Sequence, residues 1–435
     1  MNYKAQRGTF DILPEEEGIW NRVQQTCFET ARLFGYRYIE TPIFEESGLF
    51  ERTVGEDTDI VEKEMYSFDD KGGENISLRP ENTAGVCRAF IENGLHNTTL
   101  PSRLFYYGPM FRYERPQSGR YRQFHQFGIE CIGDDSSDVD FEVIKIAWDI
   151  LRNLNFNNVL LNVNSLGDSK DRYIYTEELK KYFSKYINDL PKVDKLRFER
   201  SPLRILDSKE DITIKISEEA PKTLDFISSE SLGHHENLIL NLEELRSHDK
   251  KFNYKINNRL VRGLDYYNKT VFEYTSDSLG PQGVLLGGGR YDPLIKILGG
   301  QDTPAVGFAM GIERVVNELK KNIDVEKNYV DAVIIVTDES LRIESVQIAN
   351  NLRNSNIRTI IAPKKSIKAQ MRFANNINSK SAVFIGKNEL ENQKLSVKLL
   401  QTKSEQFEID IDDMNQLKKI LNSWRKLYYG RLDVK

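Results

Sequence analysis

Between Arg103 and Gly133 runs RLFYYGPMFRYERPQSGRYRQFHQFGIECIG, which crowds arginines, carboxylates, amides and aromatic rings together. Its composition predicts two β-strands, about Leu104 to Glu114 and Tyr121 to Ile132, joined by a loop that Pro116, Ser118 and Gly119 punctuate. A strand's period of two then sorts the side chains. Arg112 and Glu114 share one face of the first strand, and Arg122, Phe124, Gln126, Gly128 and Glu130 share one face of the second. If those faces coincide, one sheet surface could hold a phosphate, a base and an amino acid together. Such a set is costly to bury without a ligand. By spacing alone, a surface hairpin with solvated charges is an equal alternative.

The elements that must position this surface belong to a chain of 435 residues, which predicts two or three domains. Apolar content of 39% and charged content of 29% describe a soluble globular protein. A net charge of -5 argues against non-specific coating of nucleic acid, but leaves room for local basic patches. Cys27, Cys87 and Cys131 form no CxxC pair, which predicts reduced thiols in a cytoplasmic protein. The start, MNYKAQRGTFD, lacks the apolar core of a signal peptide. No apolar run approaches the roughly 20 residues that span a bilayer, so no membrane partner is expected.

Along the chain, Ile19, Val23, Cys27, Ala31 and Phe34 recur at helical spacing from Pro14 to about Phe34. YRYIETPIFE then reads as a strand carrying Pro42, at an edge or an irregular joint. RTVGEDTDIVEKEMYSF reads as a mobile loop, with strands at Met65–Phe68 and Ile76–Leu78. In RPENTAGVCRAFIEN, a helix from about Ala84 to Glu92 follows Glu81, with Asn82 or Thr83 as its cap. A helix over 134–156 and the strand VLLNVNS precede a charged, helical insertion at roughly 170–250. The pair His234–His235 has no HExxH or Cys partner, so no metal site is expected there. RLVRGLDYYNKTVFEY displays Arg262, Asp265, Tyr266 and Tyr267 on a loop before a strand. VLLGGGRYDPL reads as a glycine-rich turn between a short strand and Arg290, without a nucleotide-loop pattern. TPAVGFAMGIERVV gives a strand and then a helix presenting Glu313 and Arg314. After the polar linker KKNIDVEKNY, β-α-β-α-β alternation restarts, with two more strands and a closing helix over 412–427.

FRYERPQ followed by GRYRQFHQFGIE resembles motif 2 of the class II aminoacyl-tRNA synthetases, in the form carried by histidyl-tRNA synthetases. The Pro42 segment looks like motif 1, RPENTAG like that family's RPEGTAG with Asn82 for the glycine, and GFAMGIERVV like motif 3. LVRGLDYY and GGGRYD are similar to two segments confined to the histidyl enzymes and close relatives. The C-terminal alternation resembles the anticodon-binding domain of the class IIa enzymes, with Lys364, Lys365 and Lys368 able to meet phosphates.

The resemblance implies an α/β architecture. A class II catalytic domain over 1–325 would have a mixed, largely antiparallel sheet flanked by helices, with the helical insertion inside it. A small anticodon-binding α/β domain would follow over 328–435. It also implies a histidine–tRNA ligase that uses ATP with Mg²⁺ as substrate complex, holds no structural metal, binds L-histidine and tRNA(His), and is a cytoplasmic homodimer joined through motif 1. Arg112 and Arg262 would be catalytic at the α-phosphate. Glu114, Phe124 and Arg314 would bind ATP, with Phe124 on adenine and Arg314 on the γ-phosphate. Glu81, Thr83, Gln126, Glu130, Arg262, Tyr266 and Tyr267 would bind histidine, Glu130 and Tyr267 at the imidazole. Arg115, Gln117, Arg120 and Arg122 would meet the tRNA acceptor end. The alternative is the synthetase-like regulatory subunit of ATP phosphoribosyltransferase, which has the core fold without aminoacylation.

Overall fold

The structure, a computed structural model, describes residues 3–55, 58–116, 119–264, 266–276, 283–322, 330–400, 405–413 and 415–421. The chain divides into two compact units, Met1–Asn322 and Ile323–Lys435. Among the described residues, no helix is long and apolar enough to cross a membrane.

The first unit opens with α1 (Glu17–Leu33), β1 (Arg37–Tyr38), β2 (Phe44–Glu46), α2 (Ser47–Val54), β3 (Tyr66–Asp69), β4 (Asn75–Leu78) and α3 (Thr83–Glu92). The long hairpin follows as β5 (Ser102–Phe111) and β6 (Gln123–Ile132), then α4 (Ser137–Asn153) and β7 (Val159–Ser165). The insertion is helical: α5 (Ser169–Phe183), α6 (Lys192–Arg200), α7 (Asp211–Glu218) and α8 (Ser229–His248). The unit closes with β8 (Tyr254–Ile256), β9 (Asn268–Ser276), β10 (Val284–Arg290), α9 (Leu294–Ile297), β11 (Ala305–Gly311) and α10 (Ile312–Asn322).

Eight strands form one sheet in the order β1-β5-β6-β11-β10-β9-β7-β8. Its inner pairs are antiparallel and its two edge pairs, β1–β5 and β7–β8, are parallel. Helices cover it through their apolar stripes. α1 buries Ile19, Val23, Cys27 and Ala31, and α4 buries Val139, Val143, Ile146, Ala147 and Ile150. These repeats follow the helical period, which is why the sequence shows them.

The second unit comprises β12 (Ala332–Val336), α11 (Arg342–Asn354), β13 (Thr359–Ile361), α12 (Ile367–Asn376), β14 (Ser381–Ile385), α13 (Lys387–Glu391), β15 (Lys394–Leu399) and β16 (Phe407–Asp410). Its sheet order is β13-β12-β14-β15-β16, parallel among the first three. Ile334 and Val336 face Ile348 and Leu352, while Val333 and Ile335 face Ala374. Burial on both faces explains the continuous apolar runs of these strands. Of the expected closing helix, 415–421 is helical and 422–427 lies outside the described residues, as does most of the linker.

Local structure departs from the sequence reading at four places. The segment around Pro42 is two short strands with the proline between them, because proline cannot donate to a ladder. The expected mobile loop begins inside α2, whose Phe50 and Val54 are fully buried, and continues through a π-helical turn, Ile60–Glu64. Asn82 holds the N-cap position of α3, but neither its side chain nor that of Thr83 caps the helix. The Glu81 carboxylate accepts from the Thr83 and Ala84 amides at 2.7 and 2.9 Å, while Asn82 Oδ1 accepts from Thr41 at 2.6 Å. The three glycines are no turn, since all lie within β10. A Cβ on Gly288 would sit 2.1 Å from the Gly307 carbonyl oxygen, and one on Gly289 would sit 2.4 Å from that of Thr270. Close approach of neighbouring backbones therefore demands glycine in mid-strand.

Candidate active site

The strand faces coincide within β5 and β6, but β5 ends at Phe111 and β6 begins at Gln123, so Arg112, Glu114 and Arg122 lie on the irregular connection and not on the strands expected to carry them. Gly108 pairs with Gln126, Met110 with Phe124, and Leu104 with Glu130, while the Arg112 amide donates to the Arg122 carbonyl at 2.9 Å. Over this face lies a cleft lined by residues of β6, β10 and β11, the start of α3 and α10, and the loop before β9. Its two ends carry opposite chemistry.

One end is built on Glu130, which is fully buried in the middle of β6. Thr83 Oγ1 donates to its Oε1 at 2.7 Å, and the Tyr291 hydroxyl donates to its Oε2. Burial pushes the Glu130 carboxyl up to about 8, Glu81 adds to that, and the two hydroxyls pull the other way. Gly307 stands opposite Glu130 on β11, where a Cβ would lie 1.9 Å from Oε2. Glycine is there because the carboxylate occupies the side chain's space. Tyr266 packs its ring 4.7 Å from Tyr267 and 5.7 Å from Tyr291, completing an aromatic wall. Gln126 Oε1 is buried with no hydrogen-bond partner. A buried acceptor left unpaired marks a place for a donor from outside.

The other end gathers arginines. Arg112 donates from Nε to the Pro80 carbonyl at 2.8 Å, and its guanidinium lies 5.3 Å from the Phe124 ring centre. Arg120 Nη1 is 3.3 Å from Glu114 Oε2. Arg314 donates from Nη1 to the Val284 carbonyl at 2.8 Å and from Nε to that of Gly119 at 3.2 Å. Arg262 reaches Glu273 at 3.2 Å. Burial and the charges of Arg120, Arg112 and Arg262 hold Arg314 below the usual arginine range, with Glu114 opposing them. Four guanidinium groups stand against the carboxylates of Glu114 and Glu273, and Arg314 donates to carbonyl oxygens, so the end is electrostatically prepared for an anion.

Comparisons with known proteins place the chain in a family. A model of the histidyl-tRNA synthetase family matches residues 8–170 and 201–315, and one of the anticodon binding domain matches residues 331–419. The histidine–tRNA ligase of Dictyoglomus thermophilum is 42% identical, covering 97% of this chain and 100% of its own. The chain belongs to the histidyl-tRNA synthetase family. Its fold follows apo histidyl-tRNA synthetase of S. aureus at 34% identity and a TM-score of 0.78, over 97% of this chain and 100% of that one. A Bacillus halodurans protein described as an ATP phosphoribosyltransferase regulatory subunit/histidyl-tRNA synthetase shares the fold at 22% identity and a TM-score of 0.64. That match covers 88% of this chain and 98% of the other, and it speaks to fold alone.

Of the residues that resemblance to the histidyl enzymes picked out, Glu81, Thr83, Arg112, Glu114, Phe124, Gln126, Glu130, Arg262, Tyr266, Tyr267 and Arg314 all line the one cleft. The four acceptor-end candidates separate. Arg120 lines the cleft, Arg115 is exposed, and Arg122 lies 3.7 Å from the Tyr113 ring centre. Gln117, like Asp265, lies outside the described residues. His234 Nε2 donates to the buried Asp140 carboxylate at 2.7 Å, and no group of three or more metal-ligating side chains occurs among the described residues.

Sequence reasoning missed Tyr291. In GGGRYD it singled out Arg290, which is fully buried and bonded to Asp140, Asp292 and the carbonyls of Asp134 and Ser136. Read as a strand, the segment alternates, and Tyr291 then shares the face of Gly287 and Gly289. That period was the available signal, hidden by reading the glycines as a turn.

Proposed function

We propose that this chain, as a histidine–tRNA ligase, activates histidine with ATP and then transfers it to the 3′ end of tRNA(His), with each end of the cleft holding one substrate. The observation that carries this is the division of one cleft into a paired, buried carboxylate and a cluster of excess arginines. In the first step the histidine carboxylate attacks the α-phosphorus of ATP. The bond to the bridging oxygen breaks, giving histidyl-adenylate and pyrophosphate. Both reactants are anions, so catalysis rests on placement and on cations that meet charge in the transition state. Arg112 and Arg262 hold the α-phosphate, Arg314 holds the γ-phosphate, Phe124 stacks on adenine, and Glu114 completes the nucleotide site. Magnesium arrives with ATP and neutralises its phosphates.

At the other end, Glu130 and Tyr267 take the two imidazole nitrogens, with Tyr266 beside them. Glu81, Thr83 and Gln126 receive the α-amino group. Glu81 can do so while capping α3, because each carboxylate oxygen carries a second lone pair. Arg115, Gln117, Arg120 and Arg122 serve the tRNA acceptor end, and the second unit reads the anticodon.

A homodimer is the assembly this reading requires. Tyr38, Ile43 and Phe44 are 44%, 44% and 57% exposed around Pro42, an apolar strip that a second copy would cover. Sedimentation should give a dimer at micromolar concentration, and a monomer would contradict the assignment. Cys27, Cys87 and Cys131 are buried and unbridged, as suits a cytoplasmic enzyme. The regulatory-subunit alternative lacks comparable support, since both substrate ends and the second unit are present. Exchange of labelled pyrophosphate into ATP, run across a panel of amino acids, tests the function. Exchange with histidine alone is expected, and no exchange with any amino acid would refute it.

A further inference from the structure

Arg262 comes from the loop before β9, yet its guanidinium is held by two strand residues. Glu273 on β9 and Gly287 on β10 stand directly opposite each other in the ladder, so both address the same face. The guanidinium lies over Gly287. A Cβ there would be 2.5 Å from Nη2 and 2.6 Å from both Cζ and Nη1. Beside it, Glu273 Oε2 is 3.2 Å from Nη1. The glycine forms the floor of a seat and the carboxylate its side wall.

The seat has electrostatic work to do. Arg262 adds to the positive charge that depresses Arg314, and by reciprocity it is repelled from the same cluster. An anchoring carboxylate opposes that repulsion before any phosphate arrives. Glu273 itself lies outside the cleft lining, with its side chain 17% exposed. Arg262 is the ion-pair partner given to it by the structure, while Asp207 and Lys255 act on it from further away. It therefore reaches the substrate only through the arginine.

We propose that Glu273, seated beside Gly287, is a positioning residue that fixes Arg262 where it holds the α-phosphate. The proposal rests on the reading of Arg262 as a catalytic residue. Misplacing a catalytic group by about 1 Å can cost on the order of a hundredfold in rate. Glu273→Gln keeps the shape and removes the charge. It should lower kcat of histidine-dependent pyrophosphate exchange roughly tenfold to a hundredfold, leaving KM for histidine and ATP within about twofold.

A double-mutant cycle in the full-length protein decides the matter, using Arg262→Ala, Glu273→Gln and the pair. In the Arg262→Ala background, Glu273→Gln should cost nothing further. A multiplicative loss would overturn the positioning role, because Glu273 would then act on something other than Arg262. Full activity of Arg262→Ala would instead remove the parent reading, and the proposal with it. Gly287→Ala supplies the second arm if Glu273→Gln fails to fold. It lifts the guanidinium with Glu273 intact, and its kcat loss should also vanish without Arg262. Persistence of that loss would count against the seat.

Discussion

The two ends of the cleft solve opposite problems of buried charge. At the Glu130 end, one carboxyl is surrounded by hydroxyl groups before any substrate binds, with Thr83 and Tyr291 each bonded to it. At the arginine end, Arg112 and Arg120 crowd around Glu114, Arg262 leans on Glu273, and all three push against Arg314. A satisfied network costs little to maintain and discriminates by what it leaves unpaired. An unsatisfied like-charge cluster stores repulsion that an anion relieves. The difference teaches that selectivity and catalytic strength can be built at opposite ends of one cleft. It also predicts that the two can be damaged separately.

The largest effect belongs at the arginine end. Arg112→Ala should reduce the kcat of histidine-dependent exchange about a hundred- to a thousandfold, the usual loss for a group that meets transition-state charge. Histidine binding measured without ATP should stay within about twofold. A comparable loss of histidine affinity would dissolve the division between the ends.

A smaller effect concerns pH and stability. Glu130 is raised from 4.5 to about 8 in the folded chain, so the native state keeps its proton where the unfolded chain has lost it. Its contribution to stability is therefore full below about pH 4.5 and lost as pH rises through about 8. Without substrates, the urea midpoint of Glu130→Gln should rise relative to wild type across that window. A difference independent of pH would show that the buried carboxyl does not titrate as the geometry requires.

Much of the site can be read from the chain because it sits on regular elements. The period of two orders Phe124, Gln126 and Glu130 on β6, and the structure keeps that face intact. The helix stripes of α1 and α4 are visible for the same reason. What escapes is decided by tertiary contacts. Nothing local tells that Gly307 must be bare because Glu130 fills its place, or that Gly287 carries a guanidinium. The Glu81 cap is missed because Asn82 and Thr83 are the commoner capping types, whereas here they bond to Thr41 and Glu130. In the π-helical turn at Ile60–Glu64, the charged, glycine-flanked sequence conceals Ile60 and Val61, which pack against Phe50 and Val54. The acceptor-end residues remain the least legible, since Arg115 and Arg122 lie on an irregular connection where periodicity has no force.

The most direct test of the division is to titrate Glu130→Gln and wild type separately with histidine and with ATP by calorimetry. Above about pH 8, where Glu130 is ionised, losing a hydrogen bond to a charged partner costs roughly 1.5–3 kcal/mol, or about tenfold to a hundredfold in affinity. Histidine affinity should fall by that amount while ATP affinity stays within about twofold. Equal weakening of both substrates would contradict the account and make Glu130 a support of the whole cleft.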